Sequence, residues 1–169
     1  NREWLALAAG ISEKFKADPS LKGIVFDLRN NPGGYLTDAK FIASEFLDKG
    51  KPVVSEDNGA TEKTTMYVGR DGLLTKQKVM VLINKGSASA SEIVSGALRD
   101  NNRAKLVGET SYGKGTVQAA EDLGGGAGLH ITIAKWLTPN GTWVHGKGLT
   151  PDFLVTLNRK HLKKTRKVI

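Results

Sequence analysis

Lys78-Val-Met-Val-Leu-Ile-Asn-Lys-Gly-Ser-Ala-Ser-Ala-Ser-Glu-Ile-Val-Ser-Gly-Ala-Leu98 is the stretch on which the fold turns. Its first six residues are a short, β-branched run fit for a buried strand, and Asn84-Lys-Gly-Ser87 breaks that run. Beyond the break, Ile93, Val94, Ala97 and Leu98 share one apolar helical face. Working outward, Ala104-Lys-Leu-Val-Gly108 reads as the next strand, which makes the unit βαβ. Upstream, Leu21-Lys-Gly-Ile-Val-Phe-Asp-Leu28 reads as another buried strand, stopped by Arg29-Asn-Asn-Pro-Gly-Gly34. A helix is expected over 37–47, with Ala39, Ile42, Ala43, Phe46 and Leu47 on one side, and Gly50 falls where a helix C-terminus is often capped. Another helix is expected over 3–17, where Trp4, Leu5, Ala8, Ile11 and Phe15 recur at near-helical spacing and Asp18-Pro19 closes the run. Pro52 to Ser55 reads as a strand, and the polar stretch 56–75 as a hairpin or longer excursion. Strands are also expected over 116–120 and 129–136, with turns at Gly124-Gly-Gly126 and Pro139-Asn-Gly141. The order implies an α/β domain on a mixed, largely parallel sheet flanked by helices.

The chain has 169 residues, 39% hydrophobic and 25% charged, with no cysteine. That length buries a real core, and no apolar run approaches the roughly 20 residues of a membrane span. Without cysteine there is no disulfide framework and no thiolate metal site, so any nucleophile is an oxygen or an amine. The net charge of +8 is concentrated at one end: six of the 25 basic residues lie in 159–169, so residues 1–158 carry 19 basic against 17 acidic groups. The body, 1–158, is therefore nearly neutral, and 159–169 reads as a solvated basic tail. No zinc-finger spacing or basic stripe interleaved with aromatics points to nucleic acid.

A strand that breaks through Gly86 into a helix sets Ser87, Ser89 and Ser91 at a helix N-terminus, where free N–H groups and the helix dipole stabilise an oxyanion. The same residues fit a plain capping box, with Ser89 and Glu92 satisfying each other's end of the helix. The local pattern does not rank the three serines. A serine nucleophile also needs a base. His161 lies in the basic tail, His130 inside an expected strand and His145 near a turn, so none sits in a loop built around it. Lys114 does, in Ser111-Tyr-Gly-Lys-Gly115, with a glycine on either side to allow close backbone approach. A lysine serves as base only as the free amine, which burial beside an apolar wall favours. Paired carboxylates for glycoside chemistry and phosphate-binding glycine loops find no site.

Five ordered blocks carry a resemblance: Ile24-Val-Phe-Asp-Leu-Arg-Asn-Asn-Pro-Gly-Gly34, Gly86-Ser-Ala-Ser-Ala-Ser-Glu-Ile93, Leu106-Val-Gly-Glu109, Gly113-Lys-Gly-Thr-Val-Gln118 and Gly146-Lys-Gly-Leu-Thr-Pro-Asp152. Together they resemble the carboxyl-terminal processing (tail-specific) serine peptidases. The resemblance implies a crotonase-like or Clp-like α/β protease core. It also implies that Ser89 is the nucleophile, Lys114 the base and Gln118 the residue that orients the lysine. The implied oxyanion hole is the backbone N–H of Ala90 with one from Gly33 or Gly34, and no cofactor or metal is called for. The implied reaction is endopeptidase cleavage of protein substrates in or near their C-terminal region through an acyl-enzyme.

Members of that family carry a PDZ domain that captures the substrate's tail, and they begin their core one strand earlier. Neither feature precedes Asn1, so the resemblance makes this chain a protease core from a longer protein. It further implies export to a bacterial periplasm or envelope, or to a thylakoid lumen, and it allows a homo-oligomer. The competing expectation is a catalytically silent relative of the same fold that binds peptides or other ligands.

Overall fold

The computed structural model describes residues 2–60 and 62–155; the basic run 159–169, with His161, lies outside the described residues. The first helix, α1 (Arg2–Ala17), forms where the apolar spacing places it. Its Trp4 ring lies 6.0 Å from Phe26 and 6.2 Å from Phe46, an aromatic trio that anchors the helix to the core. It ends before Pro19, with the Asp18 N–H donating to the Lys14 carbonyl at 2.9 Å. The remaining order is β1 (Ile24–Asp27), α2 (Leu36–Phe46), β2 (Pro52–Asp57), β3 (Thr64–Tyr67), β4 (Val79–Ile83), α3 (Ala90–Asp100), β5 (Ala104–Gly108), β6 (Thr116–Gly124), β7 (Ala127–Leu137) and β8 (Phe153–Leu154).

The architecture is α/β, and its strands are sorted into two sheets rather than one mixed sheet. Strands β1-β4-β5-β8 form a parallel sheet, and β3-β2-β7-β6 form an antiparallel one. Connection length explains the sorting. The helical crossover from β4 through α3 to β5 returns the chain in the same direction, whereas the tight turn at Gly125-Gly126 permits only an antiparallel hairpin between β6 and β7. Val81, Ile83 and Leu106 from β4 and β5 are fully buried with Ala43, Phe46, Ala97 and Leu98 from α2 and α3. Asn101 closes the end of α3 onto the second sheet, donating to the Pro52 carbonyl at 2.9 Å. Among the described residues no helix is long and apolar enough to cross a membrane.

One local expectation is corrected, one is borne out in finer detail, and one short strand is new. β1 is half-buried, not buried: Ile24 and Phe26 face the core, while Val25 is 65% exposed beside its also exposed neighbour Met80. A short β-branched run does not reveal that only one face of its sheet is covered. The polar stretch 56–75 resolves into the β2–β3 hairpin and a loop stapled by the buried Glu45. That carboxylate accepts from Arg70 at 2.7 Å and from the Leu73 N–H at 2.6 Å. Strand β8 is too short to show any pattern and takes its register from β5, where the Val155 N–H reaches the Gly108 carbonyl at 2.8 Å.

Asp152 secures that edge by accepting from the Leu106 N–H at 2.8 Å and from the Lys105 ammonium at 3.1 Å. Burial alone would raise its carboxyl, but these two donors prevail and hold it below the usual range. A depressed carboxylate stabilises the fold above its unfolded-state pKa and loses that contribution as pH falls through the folded value. Denaturant titrations should therefore show wild type more stable than Asp152→Asn at pH 7, with the gap closing as pH drops below about 4.

Candidate active site

The loop between β4 and α3 gives different surroundings to the three serines that the local pattern left unranked. Ser87 is fully buried; its hydroxyl donates to the Leu28 carbonyl at 2.7 Å and accepts the Asn84 N–H at 3.0 Å. Ser91 is buried in the first turn of α3. Ser89 alone is accessible and strained, with φ 54° and ψ −119°, a conformation a non-glycine residue holds only where its surroundings impose it. Its carbonyl receives the Glu92 and Ile93 N–H groups at 2.8 and 3.0 Å, which starts the helix.

The turn after β1 is folded over this loop. Asn30 and Asn84 exchange hydrogen bonds of 2.9 and 3.0 Å, and the Ala88 N–H donates to the Asn31 carbonyl at 3.0 Å. Within that turn the Gly33 N–H donates to its neighbour Asn31 Oδ1 at 2.9 Å, whereas the Gly34 and Ala90 N–H groups have no hydrogen-bond partner among the described residues. Of the two glycines named for an oxyanion hole, Gly34 has the unengaged N–H among the described residues. A Cβ at Gly33 would lie 2.6 Å from the Ala88 carbonyl oxygen and 2.8 Å from both the Ala90 nitrogen and the Ser89 Cβ, and its φ is +104°. Gly33→Ala should displace the turn from the serine and cut active-site labelling by about a hundredfold or more. Near-normal labelling of a folded Gly33→Ala would show that the close approach is dispensable.

Lys114 is half-buried, in a loop whose main chain is held at each peptide. Its N–H donates to Glu92 Oε2 at 2.9 Å and its carbonyl accepts the Trp136 indole at 2.9 Å. The Gly115 carbonyl takes the Trp143 indole at 2.9 Å and the Trp136 N–H at 3.1 Å. The flanking glycines are required by space: a Cβ at Gly113 or Gly115 would sit 2.7 Å from the nitrogen of Gly148 or His145 respectively.

Glu92 is what joins the two loops. Fully buried, its carboxylate accepts from the Ser89 N–H at 2.9 Å, the Lys114 N–H at 2.9 Å, the Gly113 N–H at 2.7 Å and the Ser111 hydroxyl. Ser111 in turn accepts the Leu149 N–H at 2.6 Å. Sequence marked Glu92 only as one half of a helix cap. The bond to Ser89 fits that reading, but the three bonds to the 111–114 loop are long-range and leave no local signal.

Ser89, Lys114 and Gln118 line one cleft of 460 Å³, with Tyr35, Ile93 and Trp136 on its walls. His130, expected only as a strand residue, stands on this cleft as well, because in the β6–β7 register it shares a face with Gln118. His145 instead stacks on Trp143 at 5.3 Å, and it is absent from the cleft lining. Among the described residues no group of three His, Asp or Glu side chains is arranged to hold a metal ion.

Residues 6–155 match the model of peptidase family S41. A probable CtpA-like serine protease of Staphylococcus aureus (strain bovine RF122 / ET3-1) is 45% identical over 137 residues, covering 80% of this chain and 27% of that protein. The carboxy-terminal processing protease CtpA of Bacillus subtilis (strain 168) is 42% identical over 131 residues, covering 78% of this chain and 28% of that protein. The chain thus spans little more than a quarter of the length of these curated relatives. Among solved structures, a photosystem II D1 C-terminal processing protease superposes with a TM-score of 0.79 at 31% identity, over 89% of this chain and 38% of that one.

Proposed function

The chain belongs to peptidase family S41, and from that membership we propose that it is the catalytic core of a serine endopeptidase with Ser89 as nucleophile, Lys114 as general base and Gln118 as the residue that orients the lysine. One observation carries the reading: the accessible, strained serine at the N-terminus of α3 shares a single cleft with a half-buried lysine and a glutamine. The neutral Lys114 amine takes the Ser89 hydroxyl proton as Oγ bonds to the scissile carbonyl carbon. The oxyanion that forms receives the N–H groups of Ala90 and Gly34. On collapse the C–N bond breaks and the Lys114 ammonium protonates the leaving amine. Water, activated by the same amine, then releases the acyl group. The relatives are named for carboxy-terminal processing, and we carry that over to this chain as cleavage of proteins in or near their C-terminal region, in an exported protein of the periplasm or envelope.

Intact-mass measurement after exposure to a fluorophosphonate tests the reading. One adduct on wild type and none on Ser89→Ala is the expected result. Wild type that takes no adduct between pH 6 and 10 while remaining folded would leave a silent, ligand-binding relative. In the same assay Gln118→Ala should slow labelling roughly 10-fold, less than the loss at Lys114→Ala, because an orienting amide assists a base without replacing it. An equal loss in both variants would make Gln118 more than an orienting group.

A further inference from the structure

Beside the serine cleft a second, smaller pocket of 170 Å³ opens at the same two backbones, Gly34 and Ala90, that offer free N–H groups. Its interior is apolar, formed by Phe26, Leu28, Ile42 and Val94. A carbonyl held by the Gly34 and Ala90 amides carries its own residue's side chain within one bond of that mouth. On the serine peptidase reading, the pocket adjoins the position of the residue on the acyl side of the cleaved bond. Among the described residues Asp38 is the only carboxylate on its lining. It sits half-buried in the first turn of α2 with no hydrogen bond or ion pair among the described residues.

Building on the serine peptidase reading, we infer that Asp38 makes this a pocket for lysine or arginine, so that the enzyme cuts after a basic residue. A half-buried carboxylate without an ion-pair partner gains from a cation that reaches it. Lysine and arginine bring the matching shape: an aliphatic stem for Phe26, Leu28, Ile42 and Val94, and a charged head for Asp38. Leucine fills the apolar part and leaves the carboxylate as it is. Glutamate meets a like charge and is rejected.

Peptidyl diphenyl phosphonates with lysine, leucine or glutamate side chains at the reacting position test this on the full chain, with Ser89 modification followed by intact mass. Wild type should be modified about tenfold or more faster by the lysine probe than by the glutamate probe, because charges at contact distance in a partly desolvated site interact strongly. In Asp38→Asn that ratio should shrink about tenfold, since the carboxylate is removed and the apolar wall is kept. A lysine-to-glutamate ratio that is the same in both proteins overturns the assignment of Asp38. A folded wild type that none of the probes modifies defeats the serine peptidase reading itself, and the inference falls with it.

Discussion

Lys114→Arg should be nearly inactive, with labelling and turnover down by about 10²- to 10⁴-fold, the usual contribution of a general base. Arginine keeps the positive charge and much of the length, but its guanidinium is not deprotonated in proteins and so cannot accept the Ser89 proton. The loop itself should survive the exchange. Its anchors are main-chain groups: the Lys114 N–H on Glu92, the Lys114 carbonyl under the Trp136 indole, and the Gly115 carbonyl shared by Trp136 and Trp143. The unfolding free energy should accordingly stay within about 0.5 kcal/mol of wild type, as for substitutions that break no buried contact. Loss of labelling at unchanged stability would isolate the chemistry. An arginine variant within a few-fold of wild type would sink the lysine-base assignment.

Glu92→Gln should damage both stability and activity. The two carboxylate oxygens receive four donors, two on each. An amide has one oxygen and one NH₂ group, so one pair of donors must face a donor. If the NH₂ lies toward Ser111, that hydroxyl can turn to accept it, but the Gly113 N–H is left without a partner. In the other orientation the Ser89 and Lys114 N–H groups are both abandoned. Each orphaned buried N–H costs about 1–3 kcal/mol, so urea unfolding should shift by about that much or more with little change in m. Activity should fall further than the unfolded fraction explains, because Glu92 is the tie between the backbone of the serine and the backbone of the lysine. A variant that is destabilised yet labels at the wild-type rate below its unfolding transition would make Glu92 a purely structural group.

Local patterns carried the fold class and most of the elements. The apolar run of β4, the break at Gly86 and the one-faced apolar spacing of α3 are each encoded by neighbours in the chain, and the structure has them within a residue or two of their expected ends. The Gly113 and Gly115 pair also announced a loop that has to admit another backbone, and the atoms it must admit prove to be the Gly148 and His145 nitrogens. What could not be read was which faces are covered. Val25 and Val81 look alike in sequence, yet Val25 is open to solvent and Val81 lies under the helices. Strand β8 and the Glu45-stapled loop were equally invisible, since both owe their conformation to partners tens of residues away.

The candidate site divides along the same line. Sequence by itself determined that three serines stand at a helix N-terminus and that a lysine sits in a glycine-framed loop, because helix entry and backbone permissiveness are properties of residues a few positions apart. Only the tertiary structure gave the three serines different surroundings. It did so by burying the hydroxyl of Ser87 on the Leu28 carbonyl, enclosing Ser91 in the helix, and forcing Ser89 to a positive φ beneath the 30–34 turn. The tertiary structure likewise gave Glu92 its second role, brought His130 onto the cleft and engaged the Gly33 N–H with Asn31 Oδ1. These outcomes depend on hydrogen bonds and contacts between segments distant in the chain, and such pairings exist only once the two sheets and the helices between them have closed.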